Sequence, residues 1–278
     1  MSDIGTVFVL GPQRSGTTWA QLLLDAHPEC ACRFELRLHD ALMAGMHQMV
    51  GTYNALISRH SQHVPAWATA ETRMLDQTHM MLMMRSAFLA HFFPSPKPGL
   101  RYIGEKTPEN LLGLRDIEQV FPEARYVIVV RDGRDSGLSS WHHFRNQGSE
   151  PIPLAAFLER WVPEHWSPLA TAAIDLRRRL PGRSVLVRYE DLVAEPEATA
   201  KTIFAFLGVD TSPAAVRPCI ESTSFPKVSG GRAAGDERSD EFFRKGIAGD
   251  WRTVFGPAEI AAFSTAGMEI NRLLGYFV

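Results

Sequence analysis

The chain has 278 residues, 45% of them hydrophobic and 22% charged, with a formal net charge of −2. That content suffices for a substantial core. The near-neutral balance excludes a global positive field that would recruit nucleic acid or an acidic membrane surface, so any anion must be held by a local cluster of cations. Met1-Ser2-Asp3-Ile4 runs straight into a β-like segment, which leaves no room for a signal peptide, and no apolar stretch approaches the roughly 20 residues that span a bilayer. The three cysteines, Cys30, Cys32 and Cys219, include a Cys-x-Cys pair and are odd in number, a poor disulfide framework that fits a reducing, cytoplasmic setting.

In chain order, Thr6–Leu10 reads as a strand, Gly11–Gly16 as a tight turn, and Thr17–Ala26 as a helix whose Trp19, Leu22, Leu23 and Ala26 recur at helical spacing; Pro28 ends it. A Met- and His-rich helical insertion covers roughly Leu38–Phe93. Arg101–Gly104 reads as a second strand, followed by a helix from about Glu109 to Phe121. Tyr126–Val130 is an unbroken run rich in β-branched residues and reads as a strand buried on both faces, with a helix from Asp135 to about Phe144 behind it. A second helical insertion, about Leu154–Leu180, carries Trp161 and Trp166 and leads to a strand at Ser184–Arg188, then Tyr189-Glu190-Asp191 and a helix around Ala198–Leu207. Val228–Ser239 is rich in Gly, Ser and charge and reads as a mobile loop. The alternation marks βαβ units around a central, mostly parallel sheet. We therefore expect an α/β, P-loop-like three-layer sandwich in one domain over residues 1–278, its helical insertions capping the carboxyl ends of the strands, where ligands bind.

Gly11-Pro12-Gln13-Arg14-Ser15-Gly16-Thr17-Thr18 follows a strand and opens a helix. The glycines let successive N–H groups and the helix N-terminus converge on one anion, and Arg14 and the Thr17 and Thr18 hydroxyls add donors. The spacing of Gly11 and Gly16 is that of the phosphate loop of kinases and ATPases, but Thr17 stands where those proteins need a lysine, and Tyr126–Val130 ends in Arg131 before Asp132 rather than in a clean metal-binding carboxylate. The loop points to a phosphate-containing donor handled by protein cations without metal. The chain's ten histidines, His60-x-x-His63 and His142-His143 among them, do not fall into a metal-ligand pattern, so no metal is expected.

Gly11 to Trp19 resembles the 5′-phosphosulfate loop of sulfotransferases that use 3′-phosphoadenosine-5′-phosphosulfate (PAPS). Three further segments agree in order. Val130–Ser140 looks like the family's 3′-phosphate segment, Ser222-Thr223-Ser224-Phe225 like its adenine-contacting segment, and Arg244-Lys245-Gly246-Ile247-Ala248-Gly249-Asp250-Trp251 like the signature of the cytosolic enzymes. The resemblance implies sulfuryl transfer from PAPS, leaving 3′,5′-adenosine bisphosphate (PAP). It implies donor contacts from Gly11, Gln13, Arg14, Ser15, Gly16, Thr17 and Thr18, a 3′-phosphate clamp of Arg131, Ser139, Arg244, Lys245 and Gly246, and an adenine pocket of Trp19, Tyr189, Thr223 and Phe225. Taken singly, Arg244-Lys245 also fits a solvated surface pair, and the aromatics also fit plain core packing.

Charge grows on the bridging oxygen as sulfur is transferred, and cations placed there lower the barrier. Arg14 stands where cytosolic sulfotransferases carry Lys and protein-tyrosine sulfotransferases carry Arg, and Lys106 resembles the family's second catalytic lysine. The catalytic histidine of the cytosolic enzymes falls on Pro108 here, so that mechanism does not carry over. Asp25-Ala26-His27-Pro28 resembles the end of the first helix of the protein-tyrosine enzymes, which puts Glu35 at their catalytic glutamate, with His39 in reserve; a plain ion pair of Glu35 with Arg33 or Arg37 is the alternative. An ATP-dependent small-molecule kinase and a non-catalytic nucleotide-binding module stay open as rival readings. For the acceptor we expect a small hydroxylated molecule, a phenol or a secondary-metabolite alcohol, since a cytoplasmic setting argues against secretory-pathway protein substrates. Met43, Met46, Met49, Met80, Met81, Met83 and Met84 fit either an adaptable apolar pocket or core packing. No dimerisation segment is recognisable after Trp251, which leaves a homodimer open.

Overall fold

The computed structural model describes residues 4–64, 74–92, 97–145, 152–238 and 241–277. Five strands form one sheet in the order β2-β3-β1-β4-β5, and every pairing is parallel. The strands are β1 (Gly5–Leu10), β2 (Cys30–Phe34), β3 (Tyr102–Lys106), β4 (Arg125–Val130) and β5 (Ser184–Arg188).

Period-two alternation divides the sheet between two cores. On one face Val7, Val9, Val127 and Val129 pack with α1 (Thr17–Ala26). On the other, Phe8, Leu10, Tyr126, Ile128 and Val130 meet Met43, Met84, Phe88 and Phe121. The helices that contribute to this second face include α2 (Ala44–Ser61), α3 (Gln77–Ala90), α4 (Leu114–Val120), α5 (Gly133–Arg145), α6 (Leu154–Trp161) and α7 (Ser167–Arg179). After β5 come α8 (Tyr189–Ala194), α9 (Pro196–Leu207), which completes the first core through Ile203 and Phe204, and α10 (Pro213–Thr223). The chain ends with α11 (Phe225–Val228), α12 (Trp251–Val254) and α13 (Pro257–Leu273). Three layers result, as expected. Among the described residues no helix is long and apolar enough to cross a membrane.

Four differences from the sequence reading matter. Strand β2 was not anticipated: Cys30-Ala31-Cys32-Arg33-Phe34 is short, lies on the sheet edge and lacks glycine punctuation. The helix expected over 109–121 is broken, with a tight turn at Pro108–Leu111 and α4 starting only after Gly113. The insertions settle on the flanks, because their apolar side chains have the sheet face and α13 to cover: Met84 and Phe88 lie against the Phe8 side of the sheet, and the Trp166 ring is 5.6 Å from Phe263. Phe93 lies outside the described residues. Finally, the expected mobile loop is pinned as far as it is described, since Arg232 donates to the carbonyls of Ser229 (3.2 Å), Asp236 (3.1 Å) and Arg244 (3.0 Å); Ser239 lies outside the described residues.

Phe8 is fully buried, with ring centroids of Phe121, Phe88 and Tyr126 at 5.5, 6.0 and 6.2 Å. Phe8→Ala is expected to lower unfolding stability by about 3–5 kcal/mol in urea titration, the range for an aromatic deleted from a packed core. A cost near zero would mean that this side of the sheet is not packed as described.

Candidate functional site

The carboxyl ends of all five strands open onto one cavity of about 610 Å³. Topology explains the position: β1 lies between β3 and β4, so the chain leaves β1 in one direction and β4 in the other, and the loops separate into a crevice. Helix α1 starts at Gly16 in the left-handed region (φ 91°) with no side-chain cap. A Cβ on Gly16 would stand 2.5 Å from the Tyr189 ring, and one on Gly11 (φ 152°) 2.0 Å from the Val129 carbonyl, so both turns require glycine. Ser15 is buried with no hydrogen-bond partner for its Oγ among the described residues. An orphan hydroxyl at an uncapped helix start is what an anion-binding turn would present.

Most of the residues singled out from sequence meet in this cavity. Gln13, Arg14, Gly16, Thr17, Thr18 and Trp19 line it from the first turn. Glu35 and Lys106 enter from β2 and β3, Arg131 and Ser139 from β4 and α5, Tyr189 from the end of β5. Thr223, Phe225, Arg244, Lys245 and Gly246 close the far side. Gly11 and Ser15 stand behind the wall as turn residues. His39 is not brought there: its ring lies against Gly113, with Nδ1 3.9 Å from Asp116. A residue four places after Glu35 would share its face only in a helical stretch, whereas Glu35 (φ 38°) and Arg37 (φ 53°) are left-handed and rotate the chain. The methionines of the insertion are also elsewhere; Met43, Met46, Met80, Met81 and Met84 line a separate cavity of about 410 Å³.

The cations interlock. Arg14 Nε donates to Ser139 Oγ at 3.2 Å, and Arg131 donates to the carbonyls of Arg14 (3.4 Å) and Ile247 (2.8 Å) while its guanidinium lies 4.3 Å over the Tyr189 ring. Burial, then the charges of Arg131 and Arg244, pull Arg14 down to about 10, which leaves it cationic near neutrality. Carboxylates missed by the sequence reading balance the cluster from outside. Asp135 pairs with Arg131 (3.5 Å) and accepts the N–H groups of Gly249 (2.6 Å) and Trp251 (2.9 Å). Asp250 holds Arg244 at 2.5 Å and Lys245 at 2.7 Å, and Glu237 reaches the same two side chains at 2.9 and 3.5 Å. Burial raises Asp250, but the hydrogen bonds from Lys245 and Arg244 outweigh it and hold the carboxyl below its ordinary range. On the adenine-like side, Trp19 Nε1 donates to Thr223 Oγ1 at 3.3 Å and the Trp19 and Tyr189 rings meet edge-on at 6.3 Å.

The opposite end holds the Glu35–Lys106 pair, with Oε1 and Nζ 2.5 Å apart. Arg33 and Arg37, the partners weighed for Glu35, are engaged by Asp25 and Asp40 instead. Lys106 is buried and lies 3.8 Å over the Phe34 ring; burial lowers its pKa, opposed by Glu35. Phe34, Phe144 and Phe242 are exposed aromatics on the same wall, signalled in sequence only by adjacency to Glu35, His143 and Arg244-Lys245. Beneath the pair, burial pushes the fully enclosed Glu105 carboxyl up to about 7, although Thr107, Leu36 and Asn110 all donate to it. Among the described residues no group of three or more His, Cys, Asp or Glu gathers to hold a metal.

Comparison with known proteins places this geometry. Protein-tyrosine sulfotransferase 1 of Danio rerio is 27% identical over 210 residues, covering 74% of this chain and 54% of that protein. The nodulation protein NoeE of Sinorhizobium fredii is 26% identical over 246 residues, covering 83% and 55%. The chain thus spans about half the length of the curated relatives it matches. Among solved structures, mouse sulfotransferase SULT7A1 complexed with PAP superposes with a TM-score of 0.62 at 18% identity, covering 98% of this chain and 89% of that one. The sulfotransferase domain of the Synechococcus PCC 7002 olefin synthase gives 0.60 at 20% identity, covering 99% and 96%. At such identities these two likenesses speak for the fold alone. The model of the sulfotransferase family, by contrast, matches residues 6–213, from β1 to the first residue of α10, and the chain belongs to that family.

Proposed function

We propose that this chain transfers a sulfuryl group from PAPS to the hydroxyl of a small-molecule acceptor. The observation that carries the reading is the convergence of Arg14 and the first turn with Arg131, Arg244 and Lys245 on one cavity that also holds a carboxylate–lysine pair. A donor with more than one phosphate suits such a cluster, and the orphan Ser15 Oγ and Arg131 Nε are unused donors beside it. Trp19, Tyr189 and Phe225 line the same cavity and offer aromatic surface to an adenine base.

When bound, PAPS supplies a sulfuryl group whose departure leaves negative charge on its 5′-phosphate oxygen. Arg14 and Lys106 are the cations that would neutralise that charge, and both are already held in place by the fold. Glu35, beside Lys106, would take the proton of the acceptor hydroxyl as its oxygen bonds to sulfur. Phe34, Phe144 and Phe242 suit the apolar body of a phenol or alcohol, although the likeness to protein-tyrosine sulfotransferases makes a tyrosyl hydroxyl the second reading. The three cysteines are free and buried, and we place the protein in the cytoplasm on that usage.

Titration calorimetry without Mg²⁺ tests the donor: PAP should bind at least about tenfold tighter than ATP, and Lys245→Ala should weaken PAP by about 10- to 100-fold, the worth of a charge-assisted phosphate contact. Equal affinity for ATP would favour a kinase. Glu35→Gln should cut turnover by about 10²- to 10⁴-fold at unchanged PAP affinity, the span for loss of a general base. Near-normal turnover would remove Glu35 from that role. Mass spectrometry of products from PAPS with a panel of phenols, alcohols and tyrosine-containing peptides would separate the two acceptor readings.

A further inference from the structure

Glu35 sits in a backbone segment that no regular element supports. It follows the last residue of β2, and both Glu35 and Arg37 adopt left-handed φ values that side-chain-bearing residues avoid. Yet four N–H groups here are directed onto one stretch of chain. Glu35 N–H donates to the Lys106 carbonyl (2.9 Å), Leu36 N–H to Glu105 Oε2 (3.2 Å), Arg37 N–H to Thr107 Oγ1 (3.3 Å) and His39 N–H to Asn110 Oδ1 (3.3 Å). The side chains that receive them are themselves fully buried and share one hub. Thr107 Oγ1 donates to Glu105 Oε2 at 2.6 Å, and Asn110 Nδ2 donates to Glu105 Oε1.

Glu105 thus accepts one bond from the turn directly and orients both side chains that take two others. A fully buried carboxylate is costly unless its oxygens are saturated with donors, and here the donors are the turn and its two supports. Glu105 does not line the cavity, so it reaches the chemistry through neighbours that do, by its charge on Lys106 and by the turn that carries Glu35. We propose that Glu105 is a positioning residue: it fixes the Glu35–Arg37 turn in its left-handed form and so aims the Glu35 carboxylate at Lys106. This rests on the reading of Glu35 as the base. The sequence carries the device in compact form as Gly104-Glu105-Lys106-Thr107-Pro108-Glu109-Asn110, in which Lys106 faces the chemistry and Glu105, Thr107 and Asn110 face the turn.

The test combines Glu105→Ala and Glu105→Gln with Glu35→Gln, using PAPS and the best acceptor from the product panel. Glu105→Ala should lower kcat about 100-fold, while PAP affinity by calorimetry stays within about twofold, because the donor clamp is untouched. Glu105→Gln, which keeps one acceptor oxygen and the side-chain volume, should fall between the two and serves in place of the alanine variant if that does not fold. In the Glu35→Gln background either substitution should cost less than about twofold more, since a residue acting through Glu35 has nothing left to position. Additive losses, or wild-type kcat in a folded Glu105→Ala protein, overturn the proposal. A crystal structure of the variant with PAP gives an answer independent of the acceptor. A rebuilt turn with Glu35 drawn away from Lys106 supports the inference, and an unchanged turn and pair overturn it. If Glu35→Gln alone leaves turnover normal, the base assignment fails, and the crystal structure then decides the positioning claim separately.

Discussion

Like charges gathered in a half-enclosed cleft repel one another, and the site of this protein is organised around managing that repulsion. Arg14, Arg131, Arg244 and Lys245 line one cavity, and Arg14 registers the strain as a depressed pKa caused first by burial and then by its guanidinium neighbours. The chain answers with carboxylates outside the cavity for three of the four: Asp135 for Arg131, and Asp250 with Glu237 for Arg244 and Lys245. A cation held from behind keeps its remaining donors directed inward, which is the preorganisation that anion binding rewards. The same contacts knit the fold, because Asp135 on α5 takes two backbone N–H groups from the segment that leads into α12. Building the site and closing the chain over it are one event.

The position of the cluster follows from sheet topology. Strands β1 and β4 are in-register neighbours, Leu10 beside Ile128, so the turn after β1 and the arginine after β4 emerge side by side. Gly11 lies so close to the Val129 carbonyl that only a residue without a side chain fits, which fixes how near the first turn approaches the β4 end. Arg14 and Arg131 then meet through the Arg14 carbonyl without any further adjustment.

The cationic half of the cavity was legible in the sequence because its signals are local. A glycine-bounded turn between strand and helix, or a basic pair beside Gly-x-x-Gly, states its purpose within a few residues. Strand β1, helix α1 and strand β5 were legible for a similar reason, since their periodicity and breakers agree. The counter-charges were not: Asp135 is tied to Gly249 and Trp251 only when segments more than a hundred residues apart come together, and the shorter-range pairs of Arg131 with Asp135 and of Arg244 with Glu237 carry no motif of their own. His39, held in reserve beside Glu35, was not separable from it in sequence, because nothing there announces the left-handed turn at Glu35 and Arg37 that carries it away from the cavity. Strand β2 escaped notice because a five-residue edge strand with two cysteines offers neither a long β-branched run nor turn residues at its ends.

That overlooked strand is the one that carries the proposed proton chemistry. Phe34 of β2 stands in register with Lys106 of β3, so the Lys106 ammonium lies against the Phe34 ring and the next residue, Glu35, meets the ammonium from the side. In a parallel ladder a slip of one residue sends every side chain of the strand to the opposite face. Such a slip would set Arg33 or Glu35 opposite Lys106 in place of Phe34, and Phe34 or Leu36 where Glu35 now meets the ammonium. The register therefore has to be enforced at an edge with no strand beyond it among the described residues, and the hydrogen bonds from residues 35 to 39 onto the Glu105–Asn110 segment continue the β2–β3 pairing past the point where regular sheet ends. Strand pairing and the geometry of the Glu35–Lys106 pair are the same constraint here, which is why a carboxylate outside the cavity belongs to the description of the site.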